Sequence, residues 1–505
     1  MNQWLIAPIL IPLLGGILQV FMGYAPISLR RTLALATTVL LLVATIVLLL
    51  LANDGQYRLY AFGNWQPPFG IVLVLDRLAA LMLVLTGVLA LFSHLFSLGG
   101  YDEGNRQFHG LFLFQLMGLN IAFLTGDLFN LFVAFEVLLI ASYGLLMHGG
   151  GTARTIPGLH YVVLNLVGSA LFLISVGMIY SVTGTLNMAD LALRIPDLQG
   201  ADLELVKAGG LMLLVVFGLK AAILPLSFWL PRAYARASAP VAALFAVMTK
   251  VGVYAILRVY LLVFGDHAGP LANLGMDWLF PLALVTLAMG VIGALGAQSL
   301  KTLVAWQVVI SVGTLLAPIA LGSNAGISAA LFYLLSTTWT VAGLFLLSEL
   351  VASQRGSAGD RIVTAPPMQN RTLLSVFFLV GAVAAAGLPP LSGFFSKVLI
   401  LQSVTSGPEM AWLWGILLVG SFFTVIAYSR AGSIVFWRTV GGHIEDPPRL
   451  GGEVRAATGA LVALSVIIVA FAGPINEYTD ATAAQLQDRQ GYVQILQTPM
   501  VQEDN

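Results

Sequence analysis

Runs of roughly 20 apolar residues recur along the chain, parted by short polar stretches that hold most of its charge. A helix rising 1.5 Å per residue needs about 20 such residues to cross ~30 Å of hydrocarbon. The runs predict fourteen spanning helices, near 3–23, 31–52, 71–98, 108–125, 128–148, 158–182, 208–231, 239–263, 276–297, 302–320, 326–349, 372–406, 411–438 and 455–473. The seventh and twelfth are long and interrupted by proline. Segment 53–70 alternates enough to predict a small hairpin outside the membrane. The polar stretch 183–207 predicts a segment lying at the outer surface, and the Gln-rich tail 474–505 offers little to pack.

The pattern also repeats. LPLSFWLPRA at 224–233 and LPPLSGFFSKV at 388–398 are both proline-broken, aromatic-rich and flanked by long apolar runs. They lie five spans apart, so the two units run through the membrane in opposite directions. Proline removes a backbone hydrogen bond and frees a carbonyl. Such a break is tolerated at depth only where protein or water satisfies the backbone. Broken helices at matching positions of inverted repeats are a pointer to an ion path.

Composition narrows the class. The chain has 505 residues, 59% of them apolar and 9% charged, which predicts an all-α integral membrane protein in one domain with no soluble catalytic module. With no cysteine, thiol chemistry, disulfides and Cys-ligated metals are excluded. A net charge of zero gives no sign of a nucleic-acid partner. The N-terminus lacks a basic region and a small-residue cleavage site, so it reads as a first span. Loops after odd-numbered spans carry fourteen Arg and Lys, from Arg30 to Arg455; loops after even-numbered spans carry Arg58, Arg194 and Lys207. That asymmetry predicts cytoplasmic odd loops and both termini outside.

Charge inside the apolar runs is then conspicuous. Glu136, Lys220, Lys250 and Lys397 all fall within spans. Each costs roughly 2.5–3.5 kcal/mol at a helix centre by insertion scales. A Glu facing a Lys across about 5 Å recovers roughly 3 kcal/mol at an effective dielectric of about 20. One carboxylate cannot neutralise three ammoniums, so some of these lysines sit in water or lose their proton part of the time. Glu136 has no basic residue in its own span, and Lys220, just before the first break, is its natural partner. Lys250 has no nearby acid in its helix. Lys397 follows the second break, where it either carries a proton or holds an unwound carbonyl. Ser336, Thr337 and Thr340, in STTWT at 336–340, are candidates for a hydrated path, though such hydroxyls also bond their own helix. Asp76 and Arg77 form an adjacent pair with a structural role, Asp127 is placed to cap the fifth span, and Arg258 reads as an anchor near the outer interface. His94 and His148 lie near span ends and the other four histidines in loops or near interfaces. None has metal-ligand spacing with another, so no metal site is assigned.

With these residues in place, the chain resembles the antiporter-like subunits shared by respiratory complex I and the multisubunit Mrp cation/proton antiporters. The resemblance rests on VLDRLAALM at 74–82, GDLFNLFVAFEVLLIASYGL at 126–145, GLKAAILPLSFWLPRAYARASAPVAALFAVMTKVGVYAILR at 218–258 and GLPPLSGFFSK at 387–397. FEVLLIASYGL and TGTLNMADL at 183–191 are most similar to the D subunits of the Mrp group. The resemblance implies fourteen helices with two inverted five-helix repeats, spans 4–8 and 9–13, with spans 7 and 12 broken. On that frame 1–107 holds the N-terminal helices and hairpin, 108–263 the first repeat, 276–438 the second, 455–473 the last helix and 474–505 the tail. It implies proton transfer by Glu136, Lys220, Lys250 and Lys397, no redox cofactor, and Na⁺ and H⁺ as the ions moved. It implies a bacterial cytoplasmic membrane, A and C subunits as neighbours, and B, E, F and G subunits in the same assembly. One departure stands out. Many relatives carry His and Lys in span eleven, where this chain has Ser336, Thr337 and Val341.

Three readings follow: a proton-translocating subunit of a secondary Na⁺/H⁺ antiporter, a pump subunit of a complex I-like or hydrogenase-like redox complex, and a scaffold whose charges only hold neighbours in register.

Overall fold

A computed structural model describes residues 2–442 and 449–496, so the end of the tail, 497–505, lies outside the described residues. Two helices open the chain, α1 (Ala7–Phe21) and α2 (Ile27–Ala52), followed by strands β1 (Arg58–Ala61) and β2 (Val72–Leu75). Then come α3 (Arg77–Ser97), α4 (Phe108–Leu124), α5 (Leu128–Leu146), α6 (Thr152–Thr183) and the short α7 (Met188–Arg194). The first broken span is α8 (Gly200–Ala221) and α9 (Trp229–Arg236); α10 (Ala239–Phe245) and α11 (Met248–Leu262) form the next. The second half runs α12 (Met276–Leu295), α13 (Leu300–Ala320), α14 (Asn324–Ser353), α15 (Arg371–Ala386), α16 (Ser392–Gln402) and α17 (Pro408–Gly432). It closes with α18 (Gly452–Ala470), α19 (Ala472–Gln487) and α20 (Arg489–Val493). Among the described residues eleven helices are long and apolar enough to cross a membrane, and α4 and α15 are shorter apolar helices.

The two breaks are built alike. Ala222 has φ +64°, its N–H donates to the Leu219 carbonyl and the Ile223 N–H donates to that of Gly218. Gly387 has φ +79°, its N–H donates to the Ala384 carbonyl and the Leu388 N–H donates to that of Val383. Both are left-handed caps of the Schellman type, which satisfy the carbonyls a helix end leaves open. The first break takes a further bond from the other half of the molecule. The Leu224 N–H donates to Thr286 Oγ1 of α12 at 3.0 Å. Protein thus supplies what a membrane would not.

Three expectations change. Span three does not begin at 71: β2 pairs antiparallel with β1, and the helix starts at Arg77 with Asp76 as its cap, accepting from the Ala79 N–H. All four residues of β2 are buried, so the strand reads as an unbroken apolar run that periodicity cannot tell from helix. Asp76 does not pair with Arg77. It receives two bonds from Arg258 of α11, at 2.6 and 2.8 Å, both groups buried. The described part of the tail packs rather than dangles. Gln485 of α19 donates to the Gly55 carbonyl and accepts from the Arg77 N–H, while Tyr57 donates to the Gln485 carbonyl. Ser328 of α14 donates to Thr479 Oγ1. Polar side chains hold this segment, and an apolar pattern does not register them.

Candidate functional site: a polar chain through the bundle

Glu136 sits midway along α5 and Lys220 at the last turn of α8, with α6 beside them. No carboxylate among the described residues lies within 4.0 Å of Lys220, Lys250 or Lys397. The expected direct pairing of Glu136 with Lys220 is therefore replaced by a relay on α6. The Ser169 hydroxyl donates to Glu136, and Lys220 Nζ donates to Asn165 Oδ1 at 3.2 Å. Asn165 and Ser169 are one helical turn apart, so they share a face. Lys220 also stands 5.6 Å from the Phe135 ring centre, a contact that favours a cation.

Lys250 is 1% exposed and reaches across the middle of the molecule, donating to Ser311 Oγ of α13 at 2.6 Å. An ammonium has three donors, and among the described residues Lys250 finds one acceptor. On its other side α11 comes close to α8 at Gly252. A Cβ there would stand 2.5 Å from the Ala221 nitrogen, beside Lys220. One turn before Ser311, Gln307 donates to the Ala385 carbonyl at 3.3 Å, at the very end of α15. Lys397 Nζ donates to the next carbonyl, Ala386, at 2.8 Å, and to Ser421 Oγ of α17 at 2.8 Å. It holds an unwound carbonyl, one of the two roles open to it from sequence.

The hydroxyls of α14 divide. Ser336 donates to Ser392 Oγ of α16 at 2.7 Å, joining the helix that bears Lys397. Thr340 donates to the Ser336 carbonyl of its own helix, and Thr337 is buried. Asp127 caps α5, accepting from the Asn130 N–H. A search for charge in apolar runs misses Asn165, Ser169, Gln307, Ser311, Ser392 and Ser421. A weaker signal is present: Asn165/Ser169 and Gln307/Ser311 are polar pairs four residues apart within apolar spans.

The arrangement brings the four in-span charges into one succession: Glu136, through Ser169 and Asn165, to Lys220; past Gly252 to Lys250; through Ser311 and Gln307 to the end of α15 and Lys397. Each step is a hydrogen bond, one helix turn or a neighbouring residue, except that from Lys220 to Lys250, where α8 and α11 pack together at Ala221 and Gly252.

Residues 125–426 match the family described as NADH:quinone oxidoreductase/Mrp antiporter, transmembrane. The D subunit of a probable K(+)/H(+) antiporter from Rhizobium meliloti is 41% identical, with 96% of each chain covered. The D subunit of the Na(+)/H(+) antiporter of Bacillus subtilis is 34% identical over 98% of this chain and 99% of its own. A chain in the structure of the Mrp complex from Dietzia sp. DQ12-45-1b superposes with a TM-score of 0.88 at 27% identity, covering 98% of this chain and 99% of that one. By sequence over most of its length and by fold, the chain belongs to the NADH:quinone oxidoreductase/Mrp antiporter transmembrane family.

Proposed function

We propose that the chain is a proton-translocating, multi-pass subunit of a multisubunit monovalent-cation/proton antiporter, moving protons along the succession from Glu136 to Lys397. It is a secondary transporter component rather than an enzyme. The relatives named above are D subunits of K⁺/H⁺ and Na⁺/H⁺ antiporters, so the exchanged ion is Na⁺ or K⁺. In this reading the chain crosses a bacterial cytoplasmic membrane fourteen times, with both termini outside. Spans 4–8 and 9–13 form two inverted repeats, within 108–263 and 276–438, and A and C subunits are the neighbours.

The observation that carries the reading is that three buried lysines, none paired with a carboxylate among the described residues, are strung on hydroxyls, amides and freed carbonyls rather than scattered. A neighbouring carboxylate favours the ammonium and burial favours the amine. The charge on Glu136 acts on Lys220 through one turn of α6, so a change in that turn alters how Lys220 shares a proton with Lys250. Lys250 hands it through Ser311 and the water and amides near Gln307 to Lys397. Ser336, in the span where the resemblance implies His and Lys in many relatives, lines that last stretch together with Ser392 of α16.

The test is cation-induced pH change in everted vesicles lacking their own antiporters and carrying the whole gene cluster, with assembly checked on a native gel. Lys250→Ala is expected to abolish exchange in an intact complex. Wild-type exchange by that variant would move the working path off this chain.

A further inference from the structure

Opposite the tail, at the other end of α3, four buried groups form a second chain that touches none of the lysines. Thr38 of α2, His94 of α3, His109 of α4 and Asp102 of the loop between α3 and α4 are each 1% exposed or less. Thr38 Oγ1 lies 2.9 Å from His94 Nδ1, His94 Nε2 lies 2.8 Å from His109 Nδ1, and His109 Nε2 lies 3.0 Å from Asp102 Oδ2. Arg31 donates twice to Asp102, at 2.7 and 2.6 Å, and once to Glu103 at 3.0 Å. Phe112 lies against His94 and Phe108 against His109, which keeps the pair dry. The cluster lies outside the family-matched segment 125–426.

Each of the three junctions needs one hydrogen, and the count has two solutions. Asp102 is held as a carboxylate by Arg31, so His109 must present an Nε2–H to it. If Thr38 turns its hydroxyl to His94, both imidazoles are neutral and every donor points toward Asp102. The Thr38 hydroxyl is equally placed to donate to the Ala34 carbonyl at 2.9 Å. His94 Nδ1 must then carry a hydrogen, the two rings share three, and the pair holds one excess proton between them. The heavy atoms need not move. Gaining the proton requires only that a hydroxyl rotate.

We propose that His94 and His109 form a one-proton site, taking its proton from water on the Arg31–Glu103 side of the membrane and serving as a loading site for exchange. The proton balance is closed: a hydrated proton enters, the neutral pair becomes an imidazolium, and the Asp102 carboxylate faces it. The fixed charges favour this. Arg31 stands among two carboxylates, Asp102 and the exposed Glu103, while the Arg30 guanidinium bonds the Arg106 carbonyl and the Arg106 guanidinium lies over the Tyr24 ring, so neither bonds the pair. The nearby Arg154 donates to the His148 carbonyl, and His148 itself lies 2.8 Å from the Tyr101 carbonyl, so neither bonds the pair. Inward from the site, Thr45 and Thr86 continue a polar stripe on α2 and α3, two turns beyond Thr38 and His94.

The role in exchange rests on the antiporter reading; the proton site itself does not, and two measurements separate them. In the purified whole complex, proton uptake is counted with an indicator dye in unbuffered solution as the pH is lowered from about 8 to 5.5, the range in which imidazole titrates. His94→Gln and His109→Gln should each take up about one proton fewer per copy of this chain than wild type. Equal uptake overturns the site. If neither variant assembles, Thr38→Val decides. Losing the bond to a charged ring costs more than losing one to a neutral ring, so the uptake midpoint should fall by roughly one pH unit. Thr38→Ser should restore it, and an unmoved midpoint in Thr38→Val overturns the site. In vesicles, His109→Gln should slow exchange several-fold and flatten its pH profile between pH 6 and 8. An unchanged profile together with lost uptake would leave a proton site with no part in exchange and overturn the loading role. A wild-type complex that does not exchange cations at all refutes the antiporter reading and leaves the uptake count standing.

Discussion

Lys250 depends on a single hydroxyl. Removing it with Ser311→Ala leaves a buried amine with no protein acceptor among the described residues, and we expect exchange in vesicles to fall about tenfold, or roughly 1.4 kcal/mol in barrier. Complex abundance should hold. Arg258 gives the opposite result. Replacing it with Ala strands the buried Asp76 carboxylate, a loss of about 3–5 kcal/mol, and the thermal midpoint of the complex should drop before any transport effect is read. The sequence revealed the in-span charges because charge is rare in apolar runs. It did not reveal their partners, because Asn165, Ser169 and Ser311 are uncharged and Asp76 meets Arg258 from 182 residues away. Asp102 offers a pH test. Burial pushes its carboxyl up, but the bonds from Arg31 and His109 outweigh this and hold it below the usual carboxylate range. A lowered value means its stabilising contribution is complete above the unfolded value, about 4, and is lost only as pH falls below that. The gap in thermal midpoint between wild type and Asp102→Asn should therefore not close until the pH falls below about 4, and it should be wider at pH 6 than at pH 8, because the carboxylate also faces the proton taken up by His94 and His109.

At the scale of elements, the proline pairs at 225–231 and 389–390 announced both breaks. The caps that make them work were not announced, since one uses Gly387 and the other Ala222 in the same left-handed turn. A side chain in that region costs roughly 1–2 kcal/mol. Ala222→Gly should stabilise the first break, raising the thermal midpoint of the complex. Gly387→Ala should do harm twice. It adds the same strain, and its Cβ would stand 2.6 Å from Cδ of Lys397, displacing the amine from the Ala386 carbonyl. Exchange should fall more than stability does, measured on the same preparations. β1 falls within the hairpin predicted at 53–70, whereas β2 escaped the apolar pattern because a strand buried on both faces has no alternation to show.

Taken as a whole, the molecule is two sets of helices with matching breaks, and the halves share parts. Thr286 of α12 accepts from the backbone of the first break, and Ser311 of α13 accepts from Lys250. We expect Thr286→Val to disturb Lys220 rather than anything on α12, read as a loss of exchange in an assembled complex. The tail closes the circle by bonding the hairpin and the start of α3 through Gln485. That closure has a consequence for synthesis. Gly55 and Arg77 leave the ribosome some 400 residues before Gln485, so the N-terminal hairpin waits, unfinished, while nearly every other span is inserted. Its last hydrogen bonds form only once Gln485 has been made. A chain cut short before Gln485 would keep this end exposed and open to proteolysis, and one that reaches past Gln485 would present it sealed.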